Sequence, residues 1–435
     1  MATKKRIRDV IYGFIELDEQ ELEIIDHPIF QRLRRIRQLA FTDMLYPGAC
    51  HTRFEHSLGV MQMATYMYNH IVEKYGDVLK CYLHGVDDVV DFEKEIVRAR
   101  KIIRLAALLH DVGHAPFSHS GEELMPYRNQ DKDERYEHED YSIAAIEEYF
   151  KKIIERSEEP KGCSKISVND VTSLLGKKSV RGAGGLHFSL KPIISGQLDA
   201  DRADYLLRDS IHTGVDYGRY DMWRLINSVA LTNGEGGTLV FAISYKGLQV
   251  AESLVIARYH MFSQVYYHKV RRIYDYHVVE ALKEVLPLLE CEGAVFPPPT
   301  QIDNYMRLDD WTVLGAINSN LSGKHCKILK NRQHYKLEYE SSNPPSNDDI
   351  RKFTGYEAKY KSKEHYVYNL GKIYQGDKKA KQWYKPEGIQ ILEESGMLVN
   401  LEEKSKLVTS LIDPPPSMLA LYLPRKKKTK EKSHG

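Results

Sequence analysis

The sequence predicts a mainly α-helical protein: a multi-helix core with a small β-hairpin, followed by a C-terminal α+β region. Three observations predict it. Apolar residues recur at three- and four-residue spacing over 26–40, 57–75 and 96–110, the period of a helix with one buried face. A Gly-rich turn followed by alternating apolar residues at 231–247 reads as a hairpin. Beyond Pro297, Pro298 and Pro299 a short helical piece at 305–320 mixes with strand-like runs: KLEYE (336–340), IQILEE (389–394) and KLVTSLI (406–412).

In chain order, residues 26–40 offer Asp26 as N-cap and Pro28 in the first turn, with Ile29, Leu33, Ile36 and Ala40 on one stripe. The interleaved Arg32, Arg34, Arg35 and Arg37 read as a solvated face. Val60, Met63, Ala64, Met67 and Ile71 form the stripe of 57–75. The apolar helix at 96–110 stops near Gly113, with Pro116 just beyond. Residues 138–154, 198–211 and 248–287 also read as helical. The Gly-, Ser- and Lys-rich stretch 159–190, with RGAGG at 181–185, reads as a long surface loop. SSNPPSNDD (341–349) interrupts the C-terminal region. The expected organisation is a core over 1–290, an α+β region of unknown role over 291–424, and a basic, solvated tail over 425–435 that could touch a polyanion.

A length of 435 residues allows two or three domains, or one large one with appendages. At 42% hydrophobic and 28% charged residues the chain is too apolar for bulk disorder. Lys+Arg total 62 against 61 Asp+Glu, a net charge of +1, which excludes a surface that is wholly a nucleic-acid footprint but leaves room for a local patch. Five cysteines stand singly with no CxxC pair. That argues against a disulfide framework or a thiolate zinc site and fits a reducing cytoplasm. No apolar run reaches the roughly 18 residues of a membrane span, and MATKKRIRDV lacks the apolar segment of a secretory signal.

Chemistry-bearing residues concentrate in HTRFEHSLG (51–59), LLHDVGHAPFSH (108–119) and LDADRADYLLRD (198–209). Adjacent His110 and Asp111 at the end of an apolar helix can grip one cation, and Gly113 then lets the chain turn away. His56 and Asp201 would complete a set of two nitrogen and two oxygen donors, suited to Mn, Fe, Mg or Zn. Asp201, Tyr205 and Asp209 share one helix face, as do Arg258, Phe262, Val265 and Tyr266. Each has a plainer reading. A His–Asp dipeptide at a helix end is usually structural, Tyr205 and Tyr266 are two of 29 tyrosines, Gln38 could be buried polar filler, His51 could be structural, and His268-Lys269 could cap or pair within the fold.

Taken together and in order, HTRFEHSLG, HDVGHAPFSH and DADRADYLLRD resemble the HD-domain phosphohydrolases, and most of all their deoxynucleoside triphosphate triphosphohydrolase branch. The likeness runs over about 5–290 and includes FQRLRRIRQL and the R-x7-Y-x-HK string from Arg258 to Lys269; the C-terminal third carries no matching motif. The resemblance implies metal-dependent hydrolysis of dNTPs to deoxynucleoside and inorganic triphosphate by a dimer or tetramer. It implies His56, His110, Asp111 and Asp201 as ligands of a divalent ion. It implies His114 at a phosphate, and His119 and His138 beside the scissile α-phosphate with Glu122 as acidic partner, where close relatives carry Asp. His119 is the first candidate for the proton donor and His138 the second. Arg53 and Arg202 match phosphate-contacting positions, the second being Lys in close relatives. Gln38, Tyr205 and Asp209 match residues that cradle the deoxyribose and its 3′-OH, and Arg258 and Tyr266 residues at the distal phosphates and sugar. Asp26, Gln31 and Arg34 match positions that bind an activating guanine nucleotide between subunits. The rival expectations are an HD-type phosphodiesterase or nuclease, and a nucleotide-sensing binding module.

Overall fold

The computed structural model describes residues 5–86, 91–129, 134–156, 165–176, 185–234, 238–370, 389–412 and 417–425. Two antiparallel strands open it, β1 (Lys5–Asp9) and β2 (Gly13–Leu17), with Ile7 opposite Ile15. Asp18 then caps α1 (Glu19–Asp26) in a reciprocal capping box with Glu21.

The helix expected over 26–40 breaks up. Asp26 ends α1 instead of capping the next helix; the cap of α2 (Pro28–Gln31) is His27, whose ring accepts from the Ile29 N–H at 3.3 Å. A single 3₁₀ turn, Arg32–Arg35, follows, and Ile36 is already extended (φ −116°). The arginines are the reason: Arg34 stays exposed as expected, but Arg32, Arg35 and Arg37 turn to tertiary partners. Arg32 is buried and donates to the carbonyls of Leu308 (2.8 Å) and His114 (2.9 Å). Arg35 pairs with Asp309, and Arg37 with Asp43 at 2.9 Å. These tertiary anchors override the helical period.

The central pair is α3 (Arg53–Val86), which bends at Tyr75, and α4 (Phe92–Leu109). Every member of the predicted stripe from Val60 to Ile71 is fully buried between them and their neighbours. After α4 come α5 (His119–Glu122), the short hairpin β3 (Tyr127–Asn129) and β4 (Glu134–Arg135), and α6 (His138–Ala145). The last runs through a π turn at Ile146–Phe150 into α7 (Lys151–Ile154). The stretch 159–190 is not all loop: α8 (Val168–Thr172) and α9 (Leu186–Ser189) lie in it and bury Val168, Val171 and Leu186. Residues 181–184 of RGAGG fall outside the described residues.

Asp199 caps α10 (Ala200–Thr213), which ends at left-handed Gly214. Then come α11 (Met222–Ser228) and the expected hairpin, β5 (Val229–Asn233) with β6 (Leu239–Ser244). The long helical stretch 248–287 is two helices. α12 (Leu248–Met261) ends in a π turn at Phe262–Tyr266, and His268 caps α13 (Lys269–Val285) by accepting from the Val270 N–H at 3.1 Å.

The remainder supplies α14 (Ile302–Met306), α15 (Asp310–Ser319), α16 (Lys324–Lys330), β7 (Lys336–Glu340), α17 (Asn347–Tyr360) and β8 (Tyr366–Leu370). It closes with β9 (Gln390–Leu392), β10 (Leu398–Asn400), α18 (Leu401–Lys404), α19 (Lys406–Ile412) and β11 (Met418–Leu423). β11 lies between β7 and β8 in an antiparallel sheet, and β9 extends the β5–β6 hairpin in parallel with β6. The strand expected at 406–412 is a helix. The Ser405 hydroxyl accepts from the Val408 N–H (3.1 Å), and Val408 and Leu411, one turn apart, reach the main core. Phe296, Ile302, Tyr305, Val313 and Ile317 pack into the same core as α3 and α4. The tail beyond Arg425 lies outside the described residues. Among the described residues no helix is long and apolar enough to cross a membrane.

One buried ion pair ties the layers together. Arg104 of α4 donates to both oxygens of Glu21 in α1 (2.7 Å each), to Thr65 of α3 (2.7 Å) and to the Glu16 carbonyl of β2 (3.0 Å). Burial raises the Glu21 carboxyl, but hydrogen bonds and charge from Arg104 outweigh it and hold it at about 2. Glu21→Gln strands the guanidinium and is expected to lower the unfolding free energy by about 3 kcal/mol in chemical denaturation at neutral pH. Because the folded value lies below the unfolded one, this contribution is complete above the usual Glu value of 4.5 and is lost as the pH falls through about 2. The gap between wild type and Glu21→Gln should therefore shrink across that window; a gap independent of pH would contradict the pairing.

Candidate active site

Three helices bring four donors to one place. His56 stands in the first turn of α3, His110 and Asp111 directly follow α4, and Asp201 lies in the first turn of α10. His56 Nε2 is 3.0 Å from Asp201 Oδ1 and 3.7 Å from Asp111 Oδ2. His110 Nε2 is 3.3 Å from Asp111 Oδ1 and 3.8 Å from Asp201 Oδ1. Groups bonded to one cation at roughly 2.0–2.2 Å stand about 3 Å apart, so these spacings suit shared coordination. His110 Nδ1 donates to the Ala107 carbonyl (2.8 Å), which leaves the lone pair on Nε2. That Nε2 is buried with no hydrogen-bond partner among the described residues, a donor set that fits a divalent ion. Burial raises the Asp111 carboxyl, yet Arg53, His110 and His56 drive it far below the usual range. Burial lowers His56, yet hydrogen bonds to Asp201 and Asp204 lift it to about 10. Both shifts express a site that demands positive charge.

A second cluster adjoins the first. Gly113 is the device: a Cβ there would collide with the backbone of Tyr141 and Ser142, so only glycine lets α6 approach this closely. The approach places His138 beside the first cluster, its Nε2 4.0 Å from Asp111 Oδ1. Glu122 bridges the two expected catalytic histidines, at 2.6 Å from His138 Nδ1 and 3.0 Å from His119 Nδ1. The two differ in exposure: the His119 side chain is 66% exposed and that of His138 18%. His138 loses basicity to burial but gains more from Glu122, ending near 9. His114 stacks on His138 with ring centroids 4.0 Å apart, and burial and then Arg53 hold it well below its ordinary value, so it is neutral.

The turn between the clusters is strained. Phe117 and Ser118 both have positive φ, 59° and 55°. Three bonds hold it: the Phe117 N–H to Asp310 Oδ1 (2.7 Å), the Ser118 hydroxyl to the Arg37 carbonyl (2.6 Å), and Arg53 Nε to the Ser118 hydroxyl (2.8 Å). Arg53 also pairs with Asp111. It therefore sits at the first cluster, with its charge already engaged.

Along α10, Asp209 is buried between His51 Nε2 (2.7 Å) and the Tyr266 hydroxyl (2.5 Å), and Tyr205 meets Tyr266 edge to face at 6.3 Å. The Gln38 N–H bonds the His51 carbonyl (3.0 Å), while its side-chain Oε1 is buried with no hydrogen-bond partner among the described residues. Arg258 lies close enough to Tyr205 to act on its phenol and rests over Phe262 at 5.5 Å. Arg202, expected at the phosphates, instead gives its guanidinium to Asp199 and the Gly196 carbonyl. Asp26, Gln31 and Arg34 form no part of this site. Asp26 is exposed, Gln31 Nε2 bonds the Ile25 carbonyl (2.7 Å), and Arg34 bonds Gln31 (2.8 Å) and covers Phe54 at 3.5 Å.

Sequence reasoning gave no role to Asp204, which holds His56 Nδ1 at 2.8 Å, or to Ser118 and Asp310. Only the i, i+3 spacing of Asp204 from Asp201 hinted at the first; the other two act through backbone geometry that no spacing encodes.

The HD domain family matches residues 53–209, and the HD associated region matches 220–362. An uncharacterized protein of Methanocaldococcus jannaschii is 38% identical over 282 residues, which is 65% of this chain and 50% of that protein. The deoxynucleoside triphosphate triphosphohydrolase SAMHD1 homolog of Dictyostelium discoideum is 28% identical over 345 residues, covering 77% of this chain and 60% of that one. This chain thus spans only half to three fifths of the length of these two relatives. The crystal structure of a phosphohydrolase from Bacteroides thetaiotaomicron superposes with a TM-score of 0.69 at 25% identity, covering 97% of this chain and all of that one. With both HD-family regions matched and the histidine–aspartate cluster in place, the chain belongs to the HD-domain phosphohydrolase superfamily.

Proposed function

We propose that this phosphohydrolase cleaves deoxynucleoside triphosphates at the α-phosphorus, releasing deoxynucleoside and inorganic triphosphate. One observation carries the reading: a single helix, α10, presents the metal-group carboxylate Asp201, the aromatic Tyr205 and the buried acceptor Asp209 in succession along one face. Phosphate chemistry and sugar recognition then share one wall.

His56, His110, Asp111 and Asp201 would hold the divalent ion, which when bound neutralises phosphate charge and lowers the pKa of water. The chain's own residues do the rest. His138, protonated at neutral pH and steered by Glu122, faces the metal group through Nε2 and is placed to protonate the departing 5′ oxygen. His119 shares Glu122 from the solvent side and is the weaker candidate. His114, neutral and stacked beneath His138, supplies a phosphate contact. Arg258 stands near Tyr205 to take distal phosphate oxygens. Arg202 joins it only on release from Asp199. Asp209, tightly bonded to Tyr266, and the unpaired Gln38 carbonyl offer acceptors for a 3′-OH. Crowding by Tyr266 and Tyr205 disfavours a ribose 2′-OH. Activation by a guanine nucleotide at Asp26, Gln31 and Arg34 of an oligomer belongs to the same reading.

Chromatography of products from each dNTP and NTP with Mn, Mg or Fe tests it. Deoxynucleoside plus triphosphate is expected; monophosphate, diphosphate or oligonucleotide cleavage would overturn it. His110→Ala and Asp111→Ala should each lose bound metal and turnover together, and turnover by a metal-free Asp111→Ala protein would refute the ligand set. His138→Gln should keep its metal while kcat falls about a hundredfold to ten-thousandfold, with a smaller fall for His119→Gln. The reverse order in single-turnover assays would move the proton donor to His119.

A further inference from the structure

The N-terminal hairpin lies outside the matched HD region, yet it is wired to a metal-group imidazole. The link is Asp204, fully buried on α10. Its Oδ2 accepts from His56 Nδ1 (2.8 Å) and Arg208 Nε (2.8 Å), and its Oδ1 accepts from Arg208 Nη2 (2.9 Å) and the Tyr12 hydroxyl (2.9 Å). Four donors satisfy both oxygens. Arg208, equally buried, turns its remaining Nη1 to Asp9 Oδ2 at 2.9 Å. Asp9 in turn shapes the hairpin bend, its Oδ1 accepting the N–H groups of Ile11 (2.8 Å) and Tyr12 (3.1 Å). The bend thus aims the Tyr12 hydroxyl at Asp204. On the opposite side α3 makes room: a Cβ on Gly59 would collide with Asp204 Oδ1 and Arg208 Nη2.

We propose that Tyr12, with Asp9 and Arg208, is a positioning element for the metal group, acting through Asp204 on His56. With Nδ1–H donated to a carboxylate that cannot rotate, His56 presents Nε2, and only Nε2, toward Asp111 and Asp201. A carboxylate behind a metal-bound imidazole fixes its tautomer and orientation and raises its basicity, and its loss lowers metal affinity by about 10- to 100-fold. Removing Tyr12 takes one of the two donors from Asp204 Oδ1 and leaves the carboxylate held by the Arg208 fork and His56 alone, with less to fix its angle to the imidazole. The inference rests on the reading of His56 as a metal ligand.

Manganese titration of the full-length protein tests it, with bound metal measured after dialysis and the thermal midpoint of the metal-stripped protein measured alongside. Tyr12→Phe should weaken Mn binding by about 3- to 10-fold and Asp204→Asn by about 10- to 100-fold. Asp204→Asn strands Arg208 and could fail to fold; Tyr12→Phe, which keeps the Asp204–Arg208 pair, then decides. A merely structural role would lower the midpoint of the stripped Tyr12→Phe protein while its folded fraction kept wild-type affinity, and that result would overturn the proposal. Should wild type itself bind no Mn, the metal reading fails and the proposal with it. Wild-type binding alongside an unchanged affinity in Tyr12→Phe would sink the proposal alone.

Discussion

Two carboxylates held beside two imidazoles at the junction of α3, α4 and α10 set the terms for the rest of the molecule. Asp111 is 2% exposed and Asp201 stands on the open side of the group. Burying acidic groups this close together is unfavourable unless positive charge is supplied at the same point. Arg53 supplies part of it from α3, and His110 Nε2 keeps a lone pair for a cation to supply the remainder. The surrounding scaffold serves that constraint. Gly113 brings α6 against the end of α4, and the Glu21–Arg104 pair fixes the height of α4 relative to α1 and α3.

The region after the proline-rich stretch is drawn into the same task. Asp310, whose carboxyl is pushed up to about 7 by burial, accepts the backbone N–H groups of Phe117 (2.7 Å) and Arg37 (2.9 Å). It thereby ties the turn that carries Ser118 to the segment around Arg37. Arg32 reaches from the opposite direction to the carbonyls of Leu308 and His114. Residues far along the chain thus anchor the backbone on which the histidine–aspartate cluster stands. Residues 308–310 therefore act on the site through backbone position.

Much of this was legible in the sequence. The stripe from Val60 to Ile71 and the apolar run ending at His110 have a helical period because their burial is one-sided, and both helices form where the period placed them. His56, His110, Asp111 and Asp201 could be grouped because coordination chemistry restricts residue types, and the fold brings them within a few ångströms. What failed was decided by partners distant in the chain. Residues 26–40 carry a helical period, but Arg32, Arg35 and Arg37 bind groups more than two hundred residues away or in the next loop and pull the backbone out of it. Residues 406–412 have the β-branched, apolar look of a strand, yet a single serine cap and one buried valine make them a helix. The difference in exposure between the two histidines that touch Glu122 also needed coordinates: only His138 is shielded beside Asp111.

Anomalous diffraction from crystals grown with Mn, recorded above and below the metal edge, addresses the central claim most directly. The account predicts one peak bonded at roughly 2.0–2.3 Å to His56 Nε2, His110 Nε2 and oxygens of Asp111 and Asp201. A peak seated instead among His114, His119, Glu122 and His138, whose donor atoms lie within 4.8 Å of one another as do those of His56, His110 and Asp111, would contradict it, as would the absence of any peak between α3, α4 and α10.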